Sequence, residues 1–135
     1  MNVRNVIIVT KPKQPDVARV AIELQEWFRR KKIGASLDPE AASRADLTVV
    51  VGGDGTLLAA ARLLGDRQIP ILAMNHGGLG FLTEVTLEEM YPAIERVLGG
   101  HFITEHRMMM DVEVSRKKKR IAAFRALNDV VINKG

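Results

Sequence analysis

Short apolar runs alternate with segments of helical periodicity along the first hundred residues. The apolar runs are rich in β-branched residues, which predicts strands at residues 6–9, 35–37, 47–51 and 69–74. Apolar residues three or four apart predict a helix that begins at residue 15 and further helices over residues 56–64 and 86–98. Strands separated by helices are typical of a parallel sheet with crossover connections. We therefore predict an α/β fold, a Rossmann-like open parallel sheet with flanking helices.

The predicted helices carry recognisable ends. Basic residues 29–32 crowd the end of the first helix, where cations suit the helix dipole, and we expect this helix to pack its Trp27 side against the sheet. Thr86 and Glu89 have the spacing of a capping box for the third helix, and the glycines at 99–100 end it.

The pattern changes after residue 100. Strand-like segments at residues 108–114 and 121–132 flank a basic run at 116–120, which predicts a β-hairpin or the start of a β-rich unit. Because the chain stops soon after a strong strand signal, we expect it to be truncated. The sequence thus predicts an α/β nucleotide- or phosphate-binding domain at residues 1–100 and the first strands of an incomplete β-rich domain at residues 101–135.

Composition narrows the classes of protein. The net charge is +4 and the pI is about 9.7, but the basic run alone supplies five positive charges, so the basicity is local and no nucleic-acid partner is expected. No apolar run approaches the roughly 20 residues of a membrane span, so we expect no membrane association. The 135 residues include no cysteine, which favours a cytoplasmic location, and no His-Glu spacing suggests a transition-metal site.

Residues 52–56, Gly-Gly-Asp-Gly-Thr, directly follow the most apolar predicted strand and precede a helix. A turn from a strand into a helix gathers backbone N–H groups and the positive end of the helix dipole, which suits phosphate. Glycines let a phosphoryl group approach the backbone closely and permit the positive φ angles that such a turn needs. The spacing excludes a Walker loop, because no lysine follows Gly55, and it excludes a dinucleotide fingerprint, because no third small residue stands in place.

Asp54 is the informative residue of this loop, since a carboxylate repels the phosphate that the turn attracts. Asp54 would either hold a divalent cation that bridges phosphate oxygens or take a proton from an attacking hydroxyl. The alternative is a tight turn in which Asp54 is the helix N-cap. The five residues alone leave both interpretations open.

Two further segments are candidates for ligand binding. Residues 75–83 follow the fourth predicted strand, so they form either one wall of a cleft with the first glycine loop or a long connection. Asn128 and Asp129 interrupt an otherwise apolar strand, and they either bridge the neighbouring backbone or hold a ligand.

Together these three segments resemble the ATP-NAD kinases. The segments are Gly-Gly-Asp-Gly-Thr at 52–56, Asn-x-Gly-x-Leu-Gly-Phe-Leu-Thr at 75–83 and Leu-Asn-Asp-Val-Val at 127–131. The first motif alone is shared with lipid kinases. The second separates the two groups, because lipid kinases are expected to carry Gly-Thr-Gly-Asn-Asp in that place.

The resemblance implies phosphoryl transfer from ATP or polyphosphate to the adenosine-ribose 2′-hydroxyl of NAD, with Mg²⁺ or another divalent cation. Asp54 would match the catalytic base. Around it, the resemblance implies a binding site made of Gly52, Gly53, Asp54, Gly55, Thr56, Asn75, Gly77, Leu79, Gly80, Phe81, Asn128 and Asp129. Glutamate is more usual in the family at the position of Asp129, so the reach of this shorter side chain to NAD is less certain.

Family members continue into a second, β-rich domain that completes the NAD pocket and much of a homo-oligomer interface. We therefore expect the 135-residue chain alone to be weakly active or inactive. The alternatives are a non-enzymatic nucleotide-binding module and a lipid kinase of the same superfamily.

Overall fold

The computed structural model describes residues 2–11, 14–75, 85–102 and 109–127. The chain divides into two compact units, Met1–Ile103 and Thr104–Gly135. The helices and strands in chain order are β1 (Asn5–Thr10), α1 (Pro15–Arg30), β2 (Gly34–Ser36), β3 (Leu47–Gly52), α2 (Asp54–Leu64), β4 (Ile71–Asn75), β5 (Val85–Thr86), α3 (Met90–Leu98), β6 (Met109–Arg116) and β7 (Lys119–Leu127). Two 3₁₀ turns, Pro39–Arg44 and Leu87–Glu89, precede β3 and α3.

The first unit is built on a five-stranded parallel sheet with the order β2-β1-β3-β4-β5. From β1 the chain crosses to β2 on one side, and it then returns to form β3 on the other side of β1. The crossovers therefore diverge between β1 and β3, which makes the carboxyl ends of these two strands the topological switch point of the sheet. In doubly wound α/β folds this switch point is where ligands bind.

One face of the sheet packs against α1 and α3. The apolar stripe of α1 buries four residues, Val17, Ala21, Leu24 and Phe28, as the helical spacing predicts. The indole of Trp27 is partly buried beside them and lies 5.2 Å from the Tyr91 ring of α3, centroid to centroid. Lys31 Nζ joins the same two helices through an ion pair with Glu95 Oε1 at 2.8 Å.

The other face packs against α2 and the first 3₁₀ turn. Leu57 and Ala60 of α2 cover Val50, and Leu64 covers Ile7 together with Ala42 of the turn. Strand β3 is buried at every position, because it lies in the middle of the sheet with helices on both faces. This burial explains its continuous apolar sequence and fixes the position of the loop that follows it.

The predicted α/β class is confirmed, with shifts at several boundaries. The predicted helix at 86–98 is preceded by β5 and a 3₁₀ turn, and its α-helical part begins at Met90. Thr86 Oγ1 contacts Glu89 Oε1 at 3.2 Å, a contact between side chains instead of the backbone bonds of a capping box. Strand β5 was not predicted, because a two-residue strand has no detectable periodicity. No helix in the described part of the chain is long and apolar enough to cross a bilayer.

The second unit contains an antiparallel hairpin of β6 and β7, as the sequence predicts. The strands pair from Met109 opposite Leu127 to Arg116 opposite Lys119, with a bulge between Val114 and Ser115. The basic run therefore forms the tip of the hairpin.

Candidate functional site

Asp54 is the first residue of α2 and lies at the carboxyl end of β3, beside the switch point. The N-cap of the helix is Gly53, with extended backbone angles, and its carbonyl accepts the Leu57 N–H at 3.1 Å. The alternative in which Asp54 is the N-cap is therefore wrong. The half-buried Asp54 carboxylate lies instead in the first helical turn, where the helix dipole stabilises negative charge.

Gly52 is required by the packing of the first turn of α2. A Cβ at Gly52 would overlap Thr56 Oγ1 and would lie 2.8 Å from Thr56 Cβ. The Thr56 side chain, only 7% exposed, thus fills the space above Gly52 and holds the helix start against the end of β3. Thr56 was predicted to line the phosphate side, and its side chain faces the strand.

Gly53 and Gly55 leave open space instead. Among the described residues, a Cβ on either glycine would meet no heavy atom within 4 Å beyond its chain neighbours and, for Gly55, the backbone of its own helix. The prediction that this loop needs positive φ angles is wrong, because among the described glycines only Gly65 and Gly100 have positive φ. What the glycines provide is close access to the backbone at the N-terminus of α2.

Asn75 ends β4 and is in register with Gly52 on β3. Residues in register on neighbouring strands share a face, so the Asn75 side chain lies on the α2 face of the sheet. It is 5% exposed, and within the described residues its Nδ2 has no hydrogen-bond partner. A buried amide donor therefore lies beside the glycine loop without a described acceptor.

Lys11 is a further candidate site residue, and it is not among those predicted from the sequence. Thr10 of β1 pairs with Val51 of β3, so Lys11 follows at the level of Gly52 across the switch point. Of the described residues that directly follow a strand of this sheet, only Lys11 carries a positive charge. The sequence shows a lysine directly after the first strand, but only the strand order shows that this lysine lies across the switch point from the glycine loop.

The remaining predicted site residues lie outside the described part of the chain. They are Gly77, Leu79, Gly80 and Phe81 of the second loop and Asn128 with Asp129 after β7. Their assignment stays a prediction.

Within the described residues no group of three His, Asp or Glu side chains is placed to hold a metal ion. Mg²⁺ is commonly bound by one or two carboxylates together with substrate phosphates and water. The Asp54 carboxylate beside a phosphate-accessible helix start fits that mode.

Comparisons with known proteins identify the family of the chain. The family model of the ATP-NAD kinase N-terminal domain matches residues 29–102. NAD kinases from Geobacter sp. strain M21 and from Citrifermentans bemidjiense are each 45% identical, over 98% of this chain and 52% of their own length. The chain thus spans about half the length of these curated relatives.

Two solved structures share the fold. Yeast NADH kinase complexed with NADH has a TM-score of 0.77 at 22% identity, over 93% of this chain and 47% of its own. An NAD kinase from Archaeoglobus fulgidus in complex with ATP has a TM-score of 0.61 at 22% identity, over 86% of this chain and 45% of its own.

The family match covers more than half of the chain and includes the glycine loop, Asp54 and Asn75. The chain belongs to the NAD kinase family, and the resemblance inferred from its motifs is confirmed.

Proposed function

We propose that the protein phosphorylates the 2′-hydroxyl of the adenosine ribose of NAD to give NADP, with ATP or polyphosphate as donor. The observation that carries the proposal is the carboxylate of Asp54 in the first turn of α2, at the switch point of the sheet. Membership of the NAD kinase family supports the choice of NAD as acceptor.

Asp54 acts as general base. Its carboxylate takes the proton of the ribose hydroxyl, the hydroxyl oxygen forms a bond to the terminal phosphorus, and the bond from that phosphorus to the donor's leaving oxygen breaks. The donor phosphates lie against the open backbone at Gly53 and Gly55, where the helix start supplies N–H groups and positive potential. Mg²⁺ held by those phosphates would supply positive charge that offsets the charge developing on the transferred group.

Lys11 and Asn75 lie on either side of this loop. Lys11, exposed at the end of β1, offsets donor charge across the switch point. The buried amide of Asn75 donates to the nucleotide, which would satisfy its Nδ2, a donor without a partner among the described residues. We further propose that Gly77, Leu79, Gly80, Phe81, Asn128 and Asp129 complete the NAD side. The protein would act as a homo-oligomer in the cytoplasm.

The test is NADP formation from NAD, Mg²⁺ and either donor. It is run on the 135-residue chain and on a chimera in which the C-terminal half of the Geobacter relative follows residue 135. We expect activity in the chimera and little in the shorter chain. Absence of NADP from a folded chimera that still binds ATP would favour the non-enzymatic nucleotide-binding module.

Asp54→Asn in the chimera tests the base. We expect turnover to fall by roughly 10²-fold or more, with ATP affinity largely kept. Asp16→Asn is the matched control, because Asp16 lies in the first turn of α1 as Asp54 does in α2. Equal turnover in the two variants would end the assignment of Asp54.

A further inference from the structure

The chain contains a single Asp-Gly pair, Asp54-Gly55, and no Asn-Gly pair. An aspartate before a glycine is prone to an intramolecular reaction, because the next backbone nitrogen can reach the side-chain carboxyl carbon when no Cβ hinders it. The other six aspartates precede valine, proline, leucine or arginine, whose side chains obstruct this approach. The chemistry of the sequence therefore singles out this pair.

The backbone of the pair is accessible in the fold. Gly55 is exposed, and Asp54 is half-buried in the first turn of α2. Among the described residues, a Cβ on Gly55 would meet no heavy atom within 4 Å beyond its chain neighbours and its own helix. Gly55 is the second residue of the helix, so no carbonyl of α2 accepts its N–H. The nitrogen that would react is therefore not engaged in the hydrogen bonding of the helix.

A small local opening is enough to bring the reacting atoms together. The attack requires rotation about the Cα–C bond of Asp54, away from its helical angle. Of the α-helical hydrogen bonds of α2, only the one from the Leu57 N–H to the Gly53 carbonyl, at 3.1 Å, spans that bond. The packing of Thr56 over Gly52 is another contact that the rotation disturbs. The same rotation in the middle of a helix would break several hydrogen bonds, and helix ends fray more readily than helix middles.

We propose that Asp54-Gly55 is a site of spontaneous isomerisation to isoaspartate in the folded protein. The Gly55 nitrogen forms a bond to Cγ of the protonated Asp54 carboxyl, the bond from Cγ to the hydroxyl oxygen breaks, and the amide proton leaves with that oxygen as water. The product is a cyclic succinimide. Water then adds to one of its two carbonyl carbons and breaks the bond from that carbon to nitrogen. Opening at the side-chain carbonyl restores aspartate, and opening at the main-chain carbonyl gives isoaspartate.

Isoaspartate at position 54 would rebuild the start of α2. The main chain then runs through Cγ and is one carbon atom longer, while the carboxylate is attached directly to Cα. The hydrogen bond from Leu57 to Gly53 and the packing of Thr56 over Gly52 depend on the normal spacing of this backbone. The isomerisation itself does not depend on the phosphorylation of NAD, whereas the loss of activity that it would cause rests on the proposed role of Asp54.

The test is an incubation of the folded 135-residue chain for several weeks at a temperature well below its unfolding midpoint. Isoaspartate is measured by methyl transfer with a protein isoaspartate methyltransferase, and it is located by tandem mass spectrometry of peptides. We expect isoaspartate to accumulate at position 54, with a transient succinimide that is lighter by one water. Asp16 is the internal reference, because it lies in the first turn of α1 but precedes Val17, and it should remain aspartate.

A parallel sample in guanidinium chloride gives the rate of isomerisation in the unfolded chain. This rate, multiplied by the unfolded fraction in buffer, is the rate that global unfolding alone would produce. We expect the rate in the folded chain to exceed that product, because the first turn of α2 opens locally.

Two variants identify the reacting nitrogen. Gly55→Ala should slow the accumulation severalfold, because the methyl group hinders the attack. Gly53→Ala leaves the Asp54-Gly55 pair intact and should accumulate isoaspartate at the rate of the unaltered chain.

Any of three results would overturn the proposal. They are the absence of isoaspartate at position 54 in the folded chain, a rate no greater than global unfolding accounts for, and an equal rate in Gly55→Ala and Gly53→Ala.

Discussion

The side chain of Thr56 occupies the space that a Cβ on Gly52 would need. The first turn of α2 can therefore lie against the end of β3 only because position 52 carries no side chain. This contact fixes how closely the first turn of α2 approaches the end of β3, and therefore where Asp54 lies relative to the sheet.

Gly52→Ala is expected to lower the free energy of unfolding by about 1–3 kcal/mol, because the added methyl group would overlap the buried Thr56 side chain and force it to shift. Urea unfolding followed by circular dichroism measures the change. Gly53→Ala is the control, since its Cβ would meet no atom of the described residues within 4 Å beyond its chain neighbours. Equal destabilisation in the two variants would contradict the role given to Thr56.

Gly55→Ala is expected to separate stability from function. Gly55 is helical, has no positive φ and has open space around its Cβ position, so alanine should raise the free energy of unfolding by about 0.5–1 kcal/mol. The same methyl group obstructs the approach of phosphate to the backbone, so ATP affinity should fall. Equilibrium dialysis with ATP, beside urea unfolding, checks both effects, and unchanged affinity would place the phosphates elsewhere.

Thr48→Val is expected to stabilise the protein. Thr48 is fully buried on the α2 face, in register with Ile7 and Ile71, and its hydroxyl has no partner among the described residues. Valine has nearly the same shape without the desolvated hydroxyl, so the free energy of unfolding should rise by about 1 kcal/mol. Thr48→Ser keeps the hydroxyl and loses a methyl group, and it should be destabilising. A loss in the valine variant would reveal an acceptor for the hydroxyl.

Asp46 should make stability depend on pH. Its Oδ2 accepts the backbone N–H groups of Arg4 and Asn5, each at 2.9 Å, which joins the start of β1 to the start of β3. These two hydrogen bonds, of which the one from Arg4 has the larger effect, lower the pKa of the Asp46 carboxyl below its ordinary value of 3.8. The stabilisation is therefore complete above about pH 4 and is lost as the pH falls through the lowered pKa.

Asp46→Asn should accordingly be less stable than the unaltered protein at about pH 7, and the difference should shrink in strong acid. Urea unfolding across that range provides the measurement, with the exposed Asp16→Asn as control. A difference that stays constant with pH would show that the carboxylate charge is not involved.

Lys11→Met should weaken binding of ATP to the chain by about tenfold or more, the range expected for a lost contact between a cation and phosphate. Arg44→Gln removes a charge from an exposed residue away from the carboxyl ends of the strands, and it should have little effect. Equilibrium dialysis compares the two, and matching affinities would remove Lys11 from the site.

Periodicity and apolar runs were sufficient to predict the layers of the first unit. The apolar residues from Val17 to Phe28 form the buried face of α1, and the continuous apolar sequence of β3 matches a strand that is buried on both sides. Both patterns therefore indicate which residues are buried. The apolar pattern does not show the order of the strands in the sheet, because that order depends on contacts between segments that are distant in the sequence. Lys11 could therefore be recognised as part of the site only once β1 and β3 were known to be neighbours.

Local chemistry was a weaker guide at the glycine loop. Its composition predicts a phosphate-binding turn with an unusual carboxylate, but it does not show which glycine is needed for packing and which leaves the backbone open. That distinction arises from Thr56, whose buried side chain reaches back over Gly52. The place of the Asn75 amide beside Gly52 likewise depends on the register of β4 with β3, which the sequence of one strand does not show.

The contact between Trp27 and Tyr91 gives the molecule an internal optical probe. They are the single tryptophan and the single tyrosine of the chain, and their rings lie 5.2 Å apart across α1 and α3. At this separation excitation of the phenol passes to the indole, so tyrosine emission is quenched while the two helices remain docked. Recovery of that emission would report their separation in the unlabelled protein.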